Sequence, residues 1–346
     1  MNLEVVSILA FTFNTESIKM CGDLEGNYKC DVADFWPEFR RIIQQTKPHI
    51  IAIGFQEDAK PGSFFHSNLL PHEMQKDGYT LLDRENLMGV GKTTFTGVKN
   101  GDFFMRGLRL SIYVRTDSLH AIKKEYPNGV FYTSVAKNKG AIAIYLTLPN
   151  GSRLAIINTH FPFHAESLLK SSDAKDYLLR LDSAAIQSSF FNELYQQLVI
   201  GAPADVNHVL LMGDLNYRMV PFENWSGTES GELILTSPNL YRSYDELFIE
   251  MNSGNVPLMQ EGVNNTGPLF APTCKMRKMR LNDAAPDIQD YNIGKQDARV
   301  PSYCDRILYQ NYGDSAPLRC LVYDRFDKGI MNKSDHAGVY GIYSFV

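Results

Sequence analysis

Apolar runs that stop abruptly on a polar residue recur along this chain, and the sharpest is VLLMGDLNYR at residues 209–218. Its four leading apolar residues predict a short strand covered on both faces. Gly213 ends that strand, and a turn presents Asp214 and Asn216, which alternation places on one side of the chain where both could address a single ligand. An Asx-type turn that merely leaves the strand would use the same residues. Recurrence favours the first reading. Residues 4–13 predict a buried strand ending at Asn14, and residues 50–55 a second that delivers Gln56 and Glu57. Residues 108–114 predict another. Residues 141–148 and 154–161 predict a hairpin, signalled by Pro149-Asn150-Gly151, whose second strand closes on Asn158-Thr159-His160. Asp305 stands just ahead of the apolar residues that follow Arg306, and Ser334-Asp335-His336 precedes a closing strand at 338–345.

Helical periodicity lies between these runs. Phe35, Phe39, Ile42 and Ile43 share one face of residues 34–46, which Lys47-Pro48 terminates. Residues 172–198 predict a long helix with Gly201 and Pro203 beyond its end, and a further helical part begins at 231–233 and continues through 243–251. Residues 60–75 are read as a loop whose Phe64, Phe65, Leu69 and Leu70 pack beneath it rather than dip into lipid. Residues 252–268 read as Asn/Gly/Pro-rich loop and 281–298 as an irregular insertion. GVGKTT at 89–94 imitates a phosphate-cradling loop, but Asn86 stands where the motif needs its first glycine, so a surface loop is expected.

Composition narrows the picture. The 346 residues are 44% hydrophobic and show no linker-like shift, which favours one large domain over 1–346. A net charge of −5 argues against bulk nucleic-acid binding, so any anion site has to be local. CKMRKMR at 274–280, with Lys275, Arg277, Lys278 and Arg280, is such a place: an anion clamp or a solvated basic loop. Five cysteines without a CxxC pair speak against a zinc ribbon or a disulfide framework and fit a reducing, cytoplasmic setting. The start lacks the marks of a signal peptide, and no apolar stretch reaches the roughly 18 residues of a membrane span. The C-terminal YSFV carries no lipidation signal, so membrane contact is expected to be peripheral and transient.

Asn14, Glu57, His160, Asp214, Asn216, Asp305, Asp335 and His336 all fall at strand boundaries, and strand ends on one edge of layered α/β sheets converge on a crevice. Carboxylates unaccompanied by cysteine pairs suit a hard cation such as Mg²⁺. Histidine and asparagine beside them suit phosphate oxygens, and an Asp–His pair can hold an imidazole in its charged form. With no serine or cysteine in a nucleophile setting, water is the expected attacker. Together these point to metal-assisted phosphoester hydrolysis.

NTH at 158–160, GDLNYR at 213–218, PSYCDRIL at 301–308 and SDH at 334–336 resemble the signature of the inositol polyphosphate 5-phosphatases, within the endonuclease/exonuclease/phosphatase superfamily. FQE at 55–57, RGLRLSIYV at 106–114, NKG at 138–140, GEL at 231–233 and PTCK at 272–275 follow in that family's order, so the resemblance spans nearly the whole chain. It implies a four-layer α/β/β/α sandwich of two packed mixed sheets, a Mg²⁺ cofactor and removal of a 5-phosphate. It also implies roles: Glu57, Asn14 and Asp335 at the metal; Asp214 orienting and deprotonating water; Asn216 and His160 on the scissile phosphate; His336, braced by Asp305, on its equatorial oxygens. Asn138 and Lys139 match positions that contact the 1-phosphate. Lys275 and Arg299 match the region of the 4-phosphate, with Arg218 close by.

The chain departs from the family pattern at Lys137 (usually Gly), at Cys274 (Tyr or similar), at Asp297 (a basic residue) and at Tyr303 (Trp). These touch phosphate recognition rather than acid, base or metal, with Arg277, Lys278 and Arg280 as candidate replacements. The expected partners are a phosphoinositide lipid or a soluble inositol polyphosphate, with no nucleic acid, and the chain is expected to be a monomer close to a bare catalytic unit. Two alternatives stand beside this reading: a nuclease or sphingomyelinase of the same superfamily, and a catalytically inactive phosphoinositide-binding module.

Overall fold

A computed structural model describes residues 5–16, 35–59, 64–88, 106–132, 139–162, 175–220, 227–237, 240–277, 290–291, 300–326 and 334–345. In chain order the elements are β1 (Ser7–Asn14), α1 (Phe35–Thr46), β2 (Ile50–Ala59), α2 (Phe64–Lys76), β3 (Tyr79–Met88), β4 (Arg106–Arg115), β5 (Gly129–Tyr132), β6 (Gly140–Thr147), β7 (Arg153–His160), α3 (Lys175–Tyr195), β8 (His208–Asp214), α4 (Gly227–Thr236), α5 (Tyr241–Tyr244), α6 (Glu246–Asn252), β9 (Gln260–Glu261), β10 (Asp305–Asn311), β11 (Leu318–Phe326) and β12 (Gly338–Phe345). The strands form two six-stranded mixed sheets, ordered β11-β12-β1-β2-β4-β3 and β5-β6-β7-β8-β10-β9.

Three apolar layers follow from alternation along the strands. Ile8 and Ala10 of β1, Ile50 and Ala52 of β2, Ile156 of β7, Leu210 and Met212 of β8 and Ile307 of β10 meet between the sheets. The opposite face of the first sheet is covered by the predicted stripe of α1, with Phe35, Phe39, Ile42 and Ile43 packing on Leu9, Phe11, Ile51 and Ile53. The second sheet is covered by Phe190, Phe191 and Leu194 of α3 and Leu247 and Met251 of α6, which meet Ile157, Val209 and Leu211. This is the expected four-layer α/β/β/α sandwich.

Residues 60–75 correct the sequence reading: from Phe64 the chain is helical, not a loop. Pro71 and the polar residues around it hide the pattern, because proline costs about 3 kcal/mol inside a helix. Burial of Leu70 and Met74, four residues apart, against the outer face of the first sheet outweighs that signal. The strands β3, β5, β9 and β11 also went unpredicted; β3 and β11 are sheet edges with mixed burial, β5 is only four residues long, and β9 is two residues within the segment read as loop. The decoy loop at 89–94, most of the 281–298 insertion and the cations Lys278 and Arg280 lie outside the described residues.

Candidate active site

Strand direction explains why the site residues meet. β1 runs parallel to β2, and β7 parallel to β8, so their C-terminal ends share an edge. β10 is antiparallel to β8, which brings its first residue to the same edge. The register then aligns His160, Asp214 and Asp305 in one row across three neighbouring strands. The inward side chains turn from apolar to polar or ionisable as they near this edge: Ala10, Thr12 and Asn14 in β1; Ile156, Asn158 and His160 in β7; Leu210, Met212 and finally Asp214 in β8. The site stands at one end of the inter-sheet core, with His160, Asp214, Asp305 and His336 all buried.

Below it sits a polar plug that the sequence reading did not assign. Gln56 donates to Asn158 Oδ1 at 2.6 Å and to Thr12 Oγ1 at 2.9 Å, while Asn158 Nδ2 donates to the carbonyls of Phe55 and Arg109 at 3.1 and 2.9 Å. These bonds tie the two sheets together where buried amide groups would otherwise be costly. The signal was there in the inward position of both residues, two before or one beside an ionisable neighbour.

Asp214 is the centre of the site. Its Oδ1 accepts the backbone N–H of Asn216 at 3.1 Å, which is the Asx turn. Its Oδ2 accepts Asn14 Nδ2 at 2.8 Å and faces His160 Nε2 at 3.3 Å and His336 Nε2 at 4.0 Å. The Asx turn of the sequence reading is therefore present on Oδ1, while Oδ2 faces the other site residues. Burial alone would raise its pKa, but His336, His160 and Lys139 hold the carboxyl far below the usual range, so it stays ionised.

His336 Nδ1 lies 2.8 Å from Asp305 Oδ2. Burial opposes its charge, yet Asp305, Cys274 and Asp214 raise its pKa well above that of a free histidine. Asp214, Asp305 and His336 place their ligating atoms within 4.8 Å of one another, a grouping able to hold a metal ion, with the imidazole between the two carboxylates. His160 is held neutral by burial and by Lys139, whose ammonium contacts its Nε2.

The remaining residues line the same edge. Asn216 and Glu57 both have positive φ, 55° and 51°, a conformation that costs non-glycine residues energy and clusters at functional sites. Asn216 Nδ2 donates to Phe161 O at 3.1 Å and its Oδ1 accepts from Arg218 at 2.9 Å. Alternation does not carry past Asp214: the left-handed turn, not the strand, aims Asn216. Ser334 Oγ donates to Asn14 O at 2.8 Å and accepts the His336 N–H at 3.1 Å, stapling the SDH segment to β1. Lys275 Nζ sits 3.3 Å from Asp335 Oδ2. Cys274 Sγ accepts from Arg218 Nη1 at 3.4 Å and lies 3.7 Å from His336 Nε2. Asn138 and Arg299 fall outside the described residues. The donors at this edge, the carboxylates of Glu57 and Asp335 and the carboxamide oxygen of Asn14, are all oxygens, and such a set fits a hard divalent cation.

The model of the Endonuclease/Exonuclease/phosphatase family 2 matches residues 11–342. The chain is 25% identical over 290 residues to the type II inositol polyphosphate 5-phosphatase 15 of Arabidopsis thaliana, covering 74% of this chain and 25% of that protein. It is 27% identical over 255 residues to the type IV inositol polyphosphate 5-phosphatase 7 of the same plant, covering 69% and 37%. With the phosphatidylinositol 3,4,5-trisphosphate 5-phosphatase 1 of Homo sapiens it shares 27% identity over 210 residues, 60% of this chain and 16% of that protein. It thus spans well under half the length of these curated relatives. Among solved structures, the inositol polyphosphate 5-phosphatase domain of a synaptojanin, in complex with inositol (1,4)-bisphosphate and calcium, superposes with a TM-score of 0.63 at 20% identity, over 99% of this chain and 84% of that one. A Cimex nitrophorin in a ferrous NO complex superposes with a TM-score of 0.61 at 15% identity, over 98% of both chains. On the match over residues 11–342, the chain belongs to the Endonuclease/Exonuclease/phosphatase family 2.

Proposed function

We propose that the protein is a Mg²⁺-dependent phosphomonoesterase that removes the 5-phosphate from inositol phosphates and phosphoinositides such as Ins(1,4,5)P3, PI(4,5)P2 and PI(3,4,5)P3. The observation that carries this reading is the charged His336–Asp305 pair facing the ionised Asp214 at one end of the inter-sheet core. The curated relatives, which are inositol polyphosphate 5-phosphatases, support the substrate class.

In this reading Asp214 orients the attacking water and takes its proton. It can do so because Asn14 and the Asn216 N–H hold the carboxylate in place. His336 turns Nε2 toward the reacting centre while Asp305 keeps the ring oriented and charged, so it stabilises the negative charge that gathers on the phosphoryl oxygens. His160 and the second N–H of Asn216 hold those oxygens. Glu57, Asn14 and Asp335 would hold the Mg²⁺, which when bound supplies Lewis-acid stabilisation of phosphoryl charge. Lys139, Asn138, Lys275, Arg299 and Arg218 are assigned to the remaining ring phosphates. For a lipid substrate the protein works peripherally, at the cytoplasmic membrane face; among the described residues no helix is long and apolar enough to cross a membrane.

Hydrolysis is the test, measured as phosphate release from vesicles of PI(4,5)P2 or PI(3,4,5)P3 and from soluble Ins(1,4,5)P3, as strand cleavage of abasic DNA, and as phosphocholine release from sphingomyelin. Release from the inositol substrates alone is expected, abolished by EDTA, restored by Mg²⁺ and lost in Asp214→Asn. Turnover confined to DNA or sphingomyelin, or EDTA-resistant release, would overturn the reading.

A further inference from the structure

We infer that Cys274 and Cys304 form an oxidisable dithiol beside His336, a modification site whose reagent is a small hydroperoxide. Two chain segments bring the sulfurs together. Cys274 and Ser302 exchange both backbone hydrogen bonds, at 3.0 and 2.6 Å, and the N–H of Asp305 donates to Thr273 Oγ1 at 3.1 Å. The segments 273–274 and 302–305 therefore run side by side, and the consecutive residues Tyr217 and Arg218 touch the two sulfurs, Arg218 Nη1 at 3.4 Å from Cys274 Sγ and the Tyr217 carbonyl at 3.6 Å from Cys304 Sγ. Both residues are buried free cysteines.

The two sulfurs differ in their surroundings, which decides which reacts first. Cys274 Sγ has the Arg218 guanidinium at 3.4 Å, a permanent cation that favours its anionic, nucleophilic form. Cys304 Sγ faces the carbonyl of Tyr217 at 3.6 Å, a neutral acceptor, and burial raises its pKa. Cys274 is thus the attacking sulfur and Cys304 the resolving one. Cys320 has no such partner among the described cysteines, and burial pushes its thiol up to about 12.

The chemistry balances with hydrogen peroxide as the oxidant. The Cys274 sulfur attacks one peroxide oxygen, the O–O bond breaks, and the departing hydroxide takes up the thiol proton as water. Sulfur has lost two electrons and carries a sulfenic acid. The Cys304 sulfur then attacks Cys274 Sγ, the S–O bond breaks, and hydroxide leaves with the Cys304 proton as a second water. Closure needs the sulfurs to approach to about 2.05 Å, which draws Cys274 off Arg218 and His336. On the reading given under Proposed function, the oxidised form loses turnover reversibly.

The experiment uses the full chain treated with hydrogen peroxide, followed by intact mass measurement and non-reducing peptide mapping. The expected result is a mass lower by two hydrogens and a cross-linked peptide joining residues 274 and 304, both reversed by dithiothreitol and absent from Cys274→Ser. A map in which the new bond involves Cys21, Cys30 or Cys320 would overturn the inference. So would one in which Cys274 runs on to a sulfinic acid while Cys304 stays a thiol, or in which both stay reduced. Mapping of the unmodified chain decides this even if the serine variant fails to fold. Phosphate release, followed in parallel, should fall and recover with the cross-link. Mass and activity are independent readouts: a cross-link in a protein that never released phosphate would refute the assigned reaction and leave the dithiol standing.

Discussion

At the scale of single residues, the division of labour within carboxylates and imidazoles decides what the site does. In the proposed reaction Asp305 acts through His336, whose Nδ1 lies 2.8 Å from its Oδ2. Asp305→Asn keeps an acceptor there but removes the charge that sustains the imidazolium. We expect kcat to fall by about 10²–10⁴-fold with KM little changed. Combining it with His336→Gln should cost little more than the worse single change, because two residues acting as one unit are not additive; additive losses in steady-state kinetics would show that they work separately. Lys275 is a recognition residue in the same reading. Lys275→Ala should raise KM for substrates that carry a 4-phosphate and spare those that lack it. Equal KM values for both classes would remove that assignment, leaving Lys275 as the counter-ion of Asp335 at 3.3 Å. Most ionisable members of the site were legible in the sequence because each sits where an apolar run stops. Gln56, Asn158 and Ser334 were not assigned, because their partners lie far along the chain: Gln56 bonds Asn158 102 residues away and Thr12 44 away, Asn158 bonds the Phe55 and Arg109 carbonyls 103 and 49 away, and Ser334 bonds the Asn14 carbonyl 320 away.

At the scale of elements, the close approach of β7 and β8 sets the row that carries His160 and Asp214. Gly213 lies opposite Thr159 in the parallel register, with φ of 150°, and a Cβ there would stand 1.9 Å from the Thr159 carbonyl oxygen. No side-chain adjustment relieves a clash with backbone. Gly213→Ala is expected to cost at least about 3 kcal/mol, read as a lower midpoint in urea or thermal unfolding, and to misplace Asp214, so kcat falls as well. An alanine variant with unchanged stability would mean that the strands can part without harm. The two outer strands β3 and β11 escaped sequence reading for the opposite reason. They lie at sheet edges, and their partial burial erases the clean alternation that marks a strand with one face in the core. In α2 the information was tertiary: Leu70 and Met74 make sense as a pair only once the first sheet is there to receive them.

At the scale of the whole molecule, the sandwich is necessary for the site and does not determine its chemistry, since a nitrophorin adopts a similar fold. What holds the second sheet, its covering helices and the edge of the first sheet in one arrangement is a buried charge network around Arg306, the residue after Asp305. Its guanidinium meets both oxygens of Asp245 at 3.1 and 3.0 Å and Glu261 Oε1 at 2.6 Å, while the Tyr323 hydroxyl of β11 donates to the same Glu261 oxygen at 2.7 Å. Asp245 also caps α6 by accepting the Phe248 N–H at 2.9 Å. Two carboxylates thus share one guanidinium out of reach of water. Burial, opposed by Arg306 and reinforced by Glu261, pushes the Asp245 carboxyl up to about 6 from its ordinary 3.8. A folded-state pKa above the unfolded one means that the folded protein binds the proton more tightly, so the stabilising contribution is complete below pH 4 and is lost as pH rises toward 6. Asp245→Asn preserves the helix cap, because asparagine caps as well as aspartate, and it removes the titration. The difference in unfolding free energy between the unmodified chain and this variant should therefore fall as pH goes from 4 to 6 and be flat above. If Arg306 instead kept Asp245 ionised throughout, the difference would rise between pH 2 and 4 and be flat from 4 to 6, a change of sign that urea melts at four pH values would resolve.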